Sequence, residues 1–265
     1  MSSAHLLIDP ALTGPENMAR DEALLQACPS SEVEPVVRLY AWSSPTISLG
    51  YFQTFADYEN LSSPAGELPV VRRTTGGGAI LHDLEVTYSI VLPASHALVC
   101  GRPVDLYRRV HRAIIQAVGH GARLVGEGGA ACGESSHRGP FFCFDRRHAQ
   151  DVCVEETDDP SRLAKIAGSA QRRTQTAILQ HGSIMLASRF DQQGCATWSR
   201  LDDSIDLAGA VARLVPALER QLGWTLCPAV WPAETIALAR RLLTRYESDL
   251  WTVERRRDVE VAEPE

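Results

Sequence analysis

A cysteine and a lysine in the second half of the chain could together form a nucleophilic centre. Cys143 lies between Phe142 and Phe144, and Lys165 follows further along the chain. A thiolate attacks carbonyl groups readily, and a nearby ammonium favours the thiolate and can stabilise the oxyanion that the attack creates. A cysteine among phenylalanines is more often a small buried residue, and sequence spacing alone does not show that the two side chains meet.

The residue type of Lys165 is itself informative. The sequence contains 26 lysine and arginine residues, and Lys165 is the only lysine. An ammonium is compact, has three rotatable donors and has a pKa that its surroundings can adjust, whereas a guanidinium has none of these properties. Either the position requires an ammonium or the lysine is there by chance. We treat Lys165 as a functional candidate.

A glycine-rich segment forms a second candidate site. It contains two arginines, three glycines and a histidine: Arg72, Arg73, Gly76, Gly77, Gly78 and His82. Successive glycines let backbone N–H groups approach an oxygen or an anion closely, and arginines bind carboxylate or phosphate. Three glycines alone usually mark only a turn, but the flanking arginines and histidine favour a binding loop.

Small residues follow the lysine and form a third candidate. Gly168 and Ala170 flank Ser169, and their small size would let an acyl chain lie against the backbone. His181 and Gly182 lie in a later, strand-like segment. A lone histidine in a strand is more often structural than functional, so His181 is the weakest of these candidates.

Composition excludes several classes of protein. The net charge of −7 gives little support to a nucleic-acid partner. The seven cysteines are odd in number and contain no C-x-x-C pair, which indicates a reducing compartment without structural disulfides. No apolar stretch is long enough to cross a membrane, and the first residues do not resemble a signal peptide. We therefore expect a cytoplasmic protein without a membrane partner.

Metal and dinucleotide motifs are also lacking. Neither Cys143 with His148 nor Cys132 with His137 has a second ligand pair at a suitable spacing, so a metal site is not expected. Residues 126–131 match G-x-G-x-x-A, but the sequence that follows cannot form the helix that a dinucleotide-binding fold requires.

The rest of the sequence predicts the elements that must position these residues. Patterns typical of helices span 17–25, 104–119, 207–222, which Pro216 could interrupt, and 233–251, and patterns typical of strands span 36–42, 46–51, 85–92 and 177–186. Residues 126–140 read as a loop. Because helices and strands do not alternate strictly, an α+β fold is favoured over a parallel, doubly wound one. We expect one domain over residues 1–253 and a charged, disordered tail over 254–265.

The candidate segments together resemble the lipoate–protein ligase A/biotin ligase superfamily. The resemblance lies in Asn17-Met18-Ala19 through Asp21-Glu22, 38–42, 45–53, Arg72-Arg73-x-Thr75-Gly76-Gly77-Gly78, His82-Asp83, Lys165-x-x-Gly168-Ser169-Ala170-Gln171 and His181-Gly182-Ser183. Two further features are similar to the cysteine-dependent octanoyltransferases of that superfamily: Cys143-Phe144 ahead of the lysine motif, and Glu85-x-Thr87-Tyr88-Ser89 after the His-Asp pair.

The resemblance implies a fold, a reaction and partners. The fold would be a single α+β catalytic domain with a mixed, mostly antiparallel sheet flanked by helices. Cys143 would carry the acyl group as a thioester, Lys165 would favour the thiolate, and the glycine loop and residues 168–170 would cradle the acyl group. The octanoyl donor would be acyl carrier protein, and the acceptor would be a lysine of the glycine-cleavage H protein or of a dehydrogenase-complex lipoyl domain. No cofactor is implied.

Three other functions fit the same residues. An ATP-dependent lipoate or octanoate ligase would hold an acyl-adenylate in the glycine loop and would not need Cys143 as a nucleophile. A non-catalytic homologue would only dock lipoyl domains. A cysteine hydrolase would release the acyl group to water.

Overall fold

The computed structural model describes residues 2–28, 33–100, 102–119, 121–127, 140–156 and 162–256. Most of the predicted loop 126–140 and most of the predicted tail 254–265 lie outside these residues. Within them, no helix has both the length and the apolar character needed to cross a membrane.

An eight-stranded sheet forms the centre of the fold, with the order β11-β1-β2-β6-β10-β9-β8-β7. Its strands are β1 (Ser2–Ile8), β2 (Val36–Tyr40), β6 (Glu85–Pro93), β7 (Arg123–Leu124), β8 (Val152–Glu155), β9 (Leu163–Arg173), β10 (Ala177–Met185) and β11 (Trp224–Pro228). Strand β1 pairs in parallel with β2 and β11, and the other neighbours pair antiparallel. The predicted α+β class with a mixed, mostly antiparallel sheet is confirmed.

A smaller sheet of three strands carries the glycine loop. It has the order β4-β3-β5, with β3 (Thr46–Leu49), β4 (Val70–Arg72) and β5 (Ile80–His82). The loop between β4 and β5 contains the three glycines. It is therefore anchored at both ends by strands that pair with the same neighbour, β3.

Helices cover both faces of the large sheet. They are α1 (Gly14–Ala27), α3 (Pro103–Val118), α4 (Leu207–Leu222) and α5 (Ala233–Tyr246). Two short helices, α2 (Phe55–Glu59) and α6 (Asp249–Thr252), pack instead against the smaller sheet. Alternate side chains of β2 point to opposite faces, as in any strand. Val37 and Leu39 pack into the core that α3 and α4 cover, whereas Tyr40 packs with α1 and α5.

Helix α1 brings two residues to the functional region. Its N-terminus has a capping box, in which Thr13 Oγ1 accepts from the Glu16 amide at 3.4 Å and Glu16 Oε2 accepts from the Thr13 amide at 2.9 Å. The cap fixes where the helix begins. Met18 and Asp21 consequently lie on its buried side.

The structure shows how two of the predicted helices end or continue. Helix α4 continues through Pro216 without a break. A proline removes one helical hydrogen bond, but burial of Leu214, Leu218 and Leu222 on one face of the helix compensates for it. The predicted helix 233–251 instead ends at Tyr246, and Ser248 caps a new helix by accepting from the Leu250 amide at 3.1 Å.

Candidate functional site

The side chains of Cys143 and Lys165 lie together. Cys143 opens a single turn of 3₁₀ helix, and Lys165 lies on β9. Lys165 Nζ is 3.5 Å from Cys143 Sγ and donates to Cys143 O at 3.2 Å. The thiol is partly exposed while the lysine is buried, so the sulfur is accessible and its cationic neighbour is shielded from water.

Asp151 completes this arrangement from the other side. Its Oδ2 atom is 2.9 Å from Lys165 Nζ and also accepts from the His148 amide at 2.8 Å. Burial lowers the pKa of Lys165, but the charges of Cys143 and Asp151 outweigh burial and raise the pKa above its ordinary value of 10.5. Lys165 is therefore an ammonium at neutral pH, which is the form that favours a thiolate.

Because Gly168 has no side chain, the ammonium of Lys165 can occupy the space beside it. A Cβ atom on Gly168 would lie 2.4 Å from Lys165 Cε and 2.7 Å from Lys165 Nζ. Both distances are below any real carbon contact, so the glycine is needed for the lysine to reach the sulfur.

Backbone hydrogen bonds join the glycine loop to the cysteine segment. The Cys143 amide donates to Ala79 O at 2.7 Å, and the Ala79 amide donates to Phe141 O at 2.9 Å. A Cβ atom on Gly78 would lie 2.9 Å from the Cys143 amide nitrogen. Gly78 therefore allows the two segments to pair and does not itself border the cavity beside the sulfur.

The two arginines of the glycine segment donate hydrogen bonds to backbone carbonyl oxygens. Arg72 is fully buried and donates to the carbonyl oxygens of Gly50 at 3.0 Å, Gln53 at 2.7 Å and Thr252 at 2.8 Å. Arg73 holds the loop, donating to Gly76 O at 2.8 Å and to Gly78 O at 2.7 Å. A substrate-binding role was predicted for both, but the position of Arg72 suits a structural one.

Arg73 also begins a hydrogen-bond chain through His82. Its Nη1 atom is 3.1 Å from Ser48 Oγ, which is 2.7 Å from His82 Nε2, and His82 Nδ1 is 2.8 Å from Glu85 Oε1. The His82 ring stacks on Trp42 with the ring centroids 3.7 Å apart. Burial lowers the pKa of His82 although Glu85 opposes it, so the ring is neutral at pH 7 and holds the loop through fixed hydrogen bonds.

A second chain runs from Arg73 through His181. Arg73 Nε donates to Thr75 Oγ1 at 3.2 Å, Thr75 Oγ1 is 2.7 Å from His181 Nε2, and His181 Nδ1 is 3.0 Å from Asp21 Oδ2. Burial raises the pKa of Asp21, but the hydrogen bond from His181 and the charge of Arg38 outweigh it and leave the pKa below 3.8. The carboxylate is ionised and ties α1 to β10.

A cavity opens beside Cys143 and brings most of the predicted site residues together. Its walls include Met18, Tyr40, Trp42, Arg73, Gly76, Gly77, Ile80, His82, Cys143, Gly168, Ser169, Ala170, His181 and Gly182. Arg72, Gly78 and Lys165 do not border it. Gly182 lies in this wall where no side chain would fit. A Cβ atom there would lie 2.4 Å from Ser169 Oγ and 2.5 Å from Gly168 O. The wall also includes Ser48, Thr87 and Ser183, but its accessible surface is mainly apolar and therefore suits an acyl chain.

Comparison with known protein families identifies the family of this chain. A family model described as the lipoyl protein ligase A/B catalytic domain matches residues 13–207, which include the cysteine, the lysine and the glycine loop. The chain belongs to this family. The predicted superfamily is thus confirmed.

Two relatives in this lipoyl protein ligase family are named octanoyltransferase LipM. The one from Kyrpidia tusciae is 35% identical, and the match covers 89% of this chain and 93% of the relative. The one from Brevibacillus brevis is 30% identical, with 96% and 100% covered.

Solved structures named as lipoate protein ligases share the fold. A putative lipoate protein ligase from T. acidophilum superposes with a TM-score of 0.75 at 20% identity, covering 95% of this chain and 99% of that one. A lipoate-protein ligase A bound with ATP gives a TM-score of 0.72 at 19% identity, covering 95% and 98%. At these identities the likeness shows the fold alone.

Several residues of the site were not found from the sequence. Asp151 and His111 lie outside every glycine or lysine motif, and Trp42 and Met18 were noted only as part of the resemblance. The only local signal for Asp151 is its position just before a β-branched strand. His111 lies on the buried face of α3, where a histidine is indistinguishable in sequence from a core residue.

Proposed function

We propose that the protein is an octanoyltransferase of lipoate biosynthesis that carries the octanoyl group as a thioester on Cys143. The observation that carries the proposal is the 3.5 Å contact between Lys165 Nζ and Cys143 Sγ at an apolar cavity. An ATP-dependent ligase would not need such a pair. The names of the relatives at 35% and 30% identity support the same reaction.

In the first step the Cys143 thiolate attacks the thioester carbonyl of octanoyl-acyl carrier protein. A bond forms between Sγ and the carbonyl carbon, and the bond to the carrier's thiol sulfur breaks. The carrier leaves as a thiolate and takes up a proton from solvent. Lys165 lies where its positive charge favours both the attacking thiolate and the oxyanion.

In the second step a lysine amine of a lipoyl-carrier protein attacks the Cys143 thioester. A carbon–nitrogen bond forms, the carbon–sulfur bond breaks, and Cys143 returns to the thiolate while the amine loses a proton. The acceptor would be the glycine-cleavage H protein or the lipoyl domain of a dehydrogenase complex. Division into two steps lets one site meet the donor and the acceptor in turn.

The test is transfer of octanoyl from acyl carrier protein to a lipoyl domain without ATP. We expect full transfer by the wild type and by Cys227→Ala, a matched control that removes an exposed cysteine, and loss of transfer by Cys143→Ala. Transfer that persists in Cys143→Ala would contradict the thioester. Octanoylation that requires free octanoic acid and ATP would make the protein a ligase.

A further inference from the structure

A histidine that the proposed mechanism does not use lies directly behind the cavity wall. His111 Nε2 is 2.6 Å from Ser169 Oγ, and Ser169 Oγ is 2.6 Å from the hydroxyl of Tyr88. Ser169 borders the cavity together with Cys143, whereas His111 is buried beneath it on α3. A buried imidazole at hydrogen-bond distance from a cavity hydroxyl can exchange a proton with it.

The partners of His111 fix the direction of the proton. His111 Nδ1 contacts the carbonyl oxygen of Gln150, which can only accept, so Nδ1 carries a hydrogen. In a neutral ring Nε2 is then an acceptor, and the Ser169 hydroxyl donates to it. The Tyr88 hydroxyl can donate to Ser169 Oγ, because it accepts in turn from Gln180 Nε2 at 2.8 Å.

The protonation state of His111 suits a proton acceptor. Burial lowers the pKa of His111, against the opposing influence of the Gln150 carbonyl and the Asp151 charge. The ring is therefore uncharged at neutral pH. Lys165 Nζ lies 2.9 Å from Asp151 Oδ2, and the charge of Asp151 raises the pKa of Lys165 and favours its protonated form.

Transfer of the octanoyl group to an amine requires a group that accepts a proton. A neutral amine that attacks a thioester must lose a proton before the amide can form, and general-base catalysis of that loss is worth about 10²–10⁴-fold. On the proposed function, we infer that His111, acting through the hydroxyl of Ser169, accepts this proton when the acceptor lysine attacks the Cys143 thioester.

The step balances in atoms and charge. As the carbon–nitrogen bond forms, the amine proton passes to Ser169 Oγ while Ser169 passes its own proton to His111 Nε2. The carbon–sulfur bond breaks and its electron pair returns to Cys143 Sγ. The imidazolium then returns a proton through Ser169 to solvent once the amide product has left.

The surroundings of His111 can hold this transient charge. Asp151 stabilises the imidazolium, while Lys165 and His148 oppose it. The ring of Tyr107, one helical turn earlier, meets the His111 ring edge-on with centroids 6.0 Å apart. Because Asp151 already pairs with Lys165, it offsets a positive charge on His111 only in part. The imidazolium therefore gives up its proton readily, as expected of a base that must release it.

The experiment separates the two half-reactions. Octanoyl-acyl carrier protein acylates the enzyme first, and the decay of the isolated acyl-enzyme in the presence of a lipoyl domain is then timed. We expect His111→Gln to acylate Cys143 at the wild-type rate and to transfer octanoyl about 100-fold more slowly or worse. The wild-type to variant ratio of transfer rates should shrink as pH rises, because hydroxide replaces the missing base. His96→Gln, a matched histidine outside the site, should behave as wild type.

Equal slowing of both half-reactions by His111→Gln would overturn the inference, since a merely structural histidine would act on both. Wild-type transfer by His111→Gln or by Ser169→Ala would overturn it as well. These outcomes differ from failure of the proposed function, in which the wild-type protein itself would form no thioester on Cys143.

Discussion

The side chain of Lys165 fills the space that any side chain on Gly168 would require. A Cβ atom at position 168 would approach Lys165 Cε to 2.4 Å, and the same ammonium lies 3.5 Å from the sulfur of Cys143. The side chain of Lys165, three residues earlier, thus requires a glycine at position 168, whether or not a substrate also requires one.

Gly168→Ala should therefore impair the nucleophile without unfolding the protein. The added methyl group would push the ammonium away from Cys143 Sγ, and we expect acylation of Cys143 to slow by about 10- to 100-fold. Stopped-flow acylation by octanoyl-acyl carrier protein measures this rate, and a thermal melt checks the fold. Wild-type acylation by a folded variant would show that the contact with the lysine is not needed.

Lys165→Arg should fail although it keeps the charge. The space is bounded by Gly168 and by Asp151, whose Oδ2 lies 2.9 Å from Nζ, and a planar guanidinium is larger than an ammonium. We expect at least about a 10²-fold loss of acylation rate. As a control, Arg109→Lys on the exposed face of α3 should leave the rate unchanged. An active Lys165→Arg would mean that charge alone suffices.

Arg72→Met should lower stability and leave substrate binding intact. The guanidinium donates to the carbonyl oxygens of Gly50, Gln53 and Thr252. Removing it leaves these buried acceptors without a donor, which should lower the free energy of unfolding by about 3 kcal/mol or more. Chemical denaturation measures the change in the free energy of unfolding. In the folded fraction, KM for octanoyl-acyl carrier protein should equal that of wild type. A raised KM would indicate that Arg72 binds substrate.

The sequence motif does not distinguish the positions of Arg72 and Arg73. Arg72 and Arg73 are neighbours in the same motif, yet only Arg73 borders the cavity, because adjacent residues at the end of a strand point to opposite sides. The motif located the loop correctly. It could not assign each arginine to a face, since that depends on strand pairing far away in sequence.

Strand β9 was not predicted from the sequence. Its sequence contains Lys165, Gly168, Ser169 and Gln171, residue types with low strand preference, so local pattern did not predict a strand there. Pairing with β8 and β10 on its two sides holds it extended. The same non-local pairing brings Asp151 and Lys165 together, which is why the aspartate could not be found from the sequence.

Asp21→Asn should weaken the fold in a pH-dependent way. Asp21 is buried and lies 2.7 Å from Arg38 Nη1, so loss of its charge should cost about 3–5 kcal/mol at pH 7. Because its folded-state pKa lies below 3.8, this stability is present above pH 3.8 and is lost as pH falls through the lower folded-state value.

Denaturation of wild type and variant across pH tests this expectation, and the two should converge in acid. Asp202→Asn, which alters a partly exposed ion pair with Arg213, should change stability much less than Asp21→Asn. A constant difference between wild type and Asp21→Asn at all pH values would contradict the assignment of an ionised Asp21.

The most direct test of the account is the intact mass of the protein after mixing with octanoyl-acyl carrier protein in the absence of ATP. We expect one added octanoyl group, released by hydroxylamine, mapped to the peptide that contains Cys143, and absent in Cys143→Ala. An unmodified wild-type protein that nevertheless octanoylates a lipoyl domain from the same donor would contradict it, because transfer would then proceed without an acyl-enzyme.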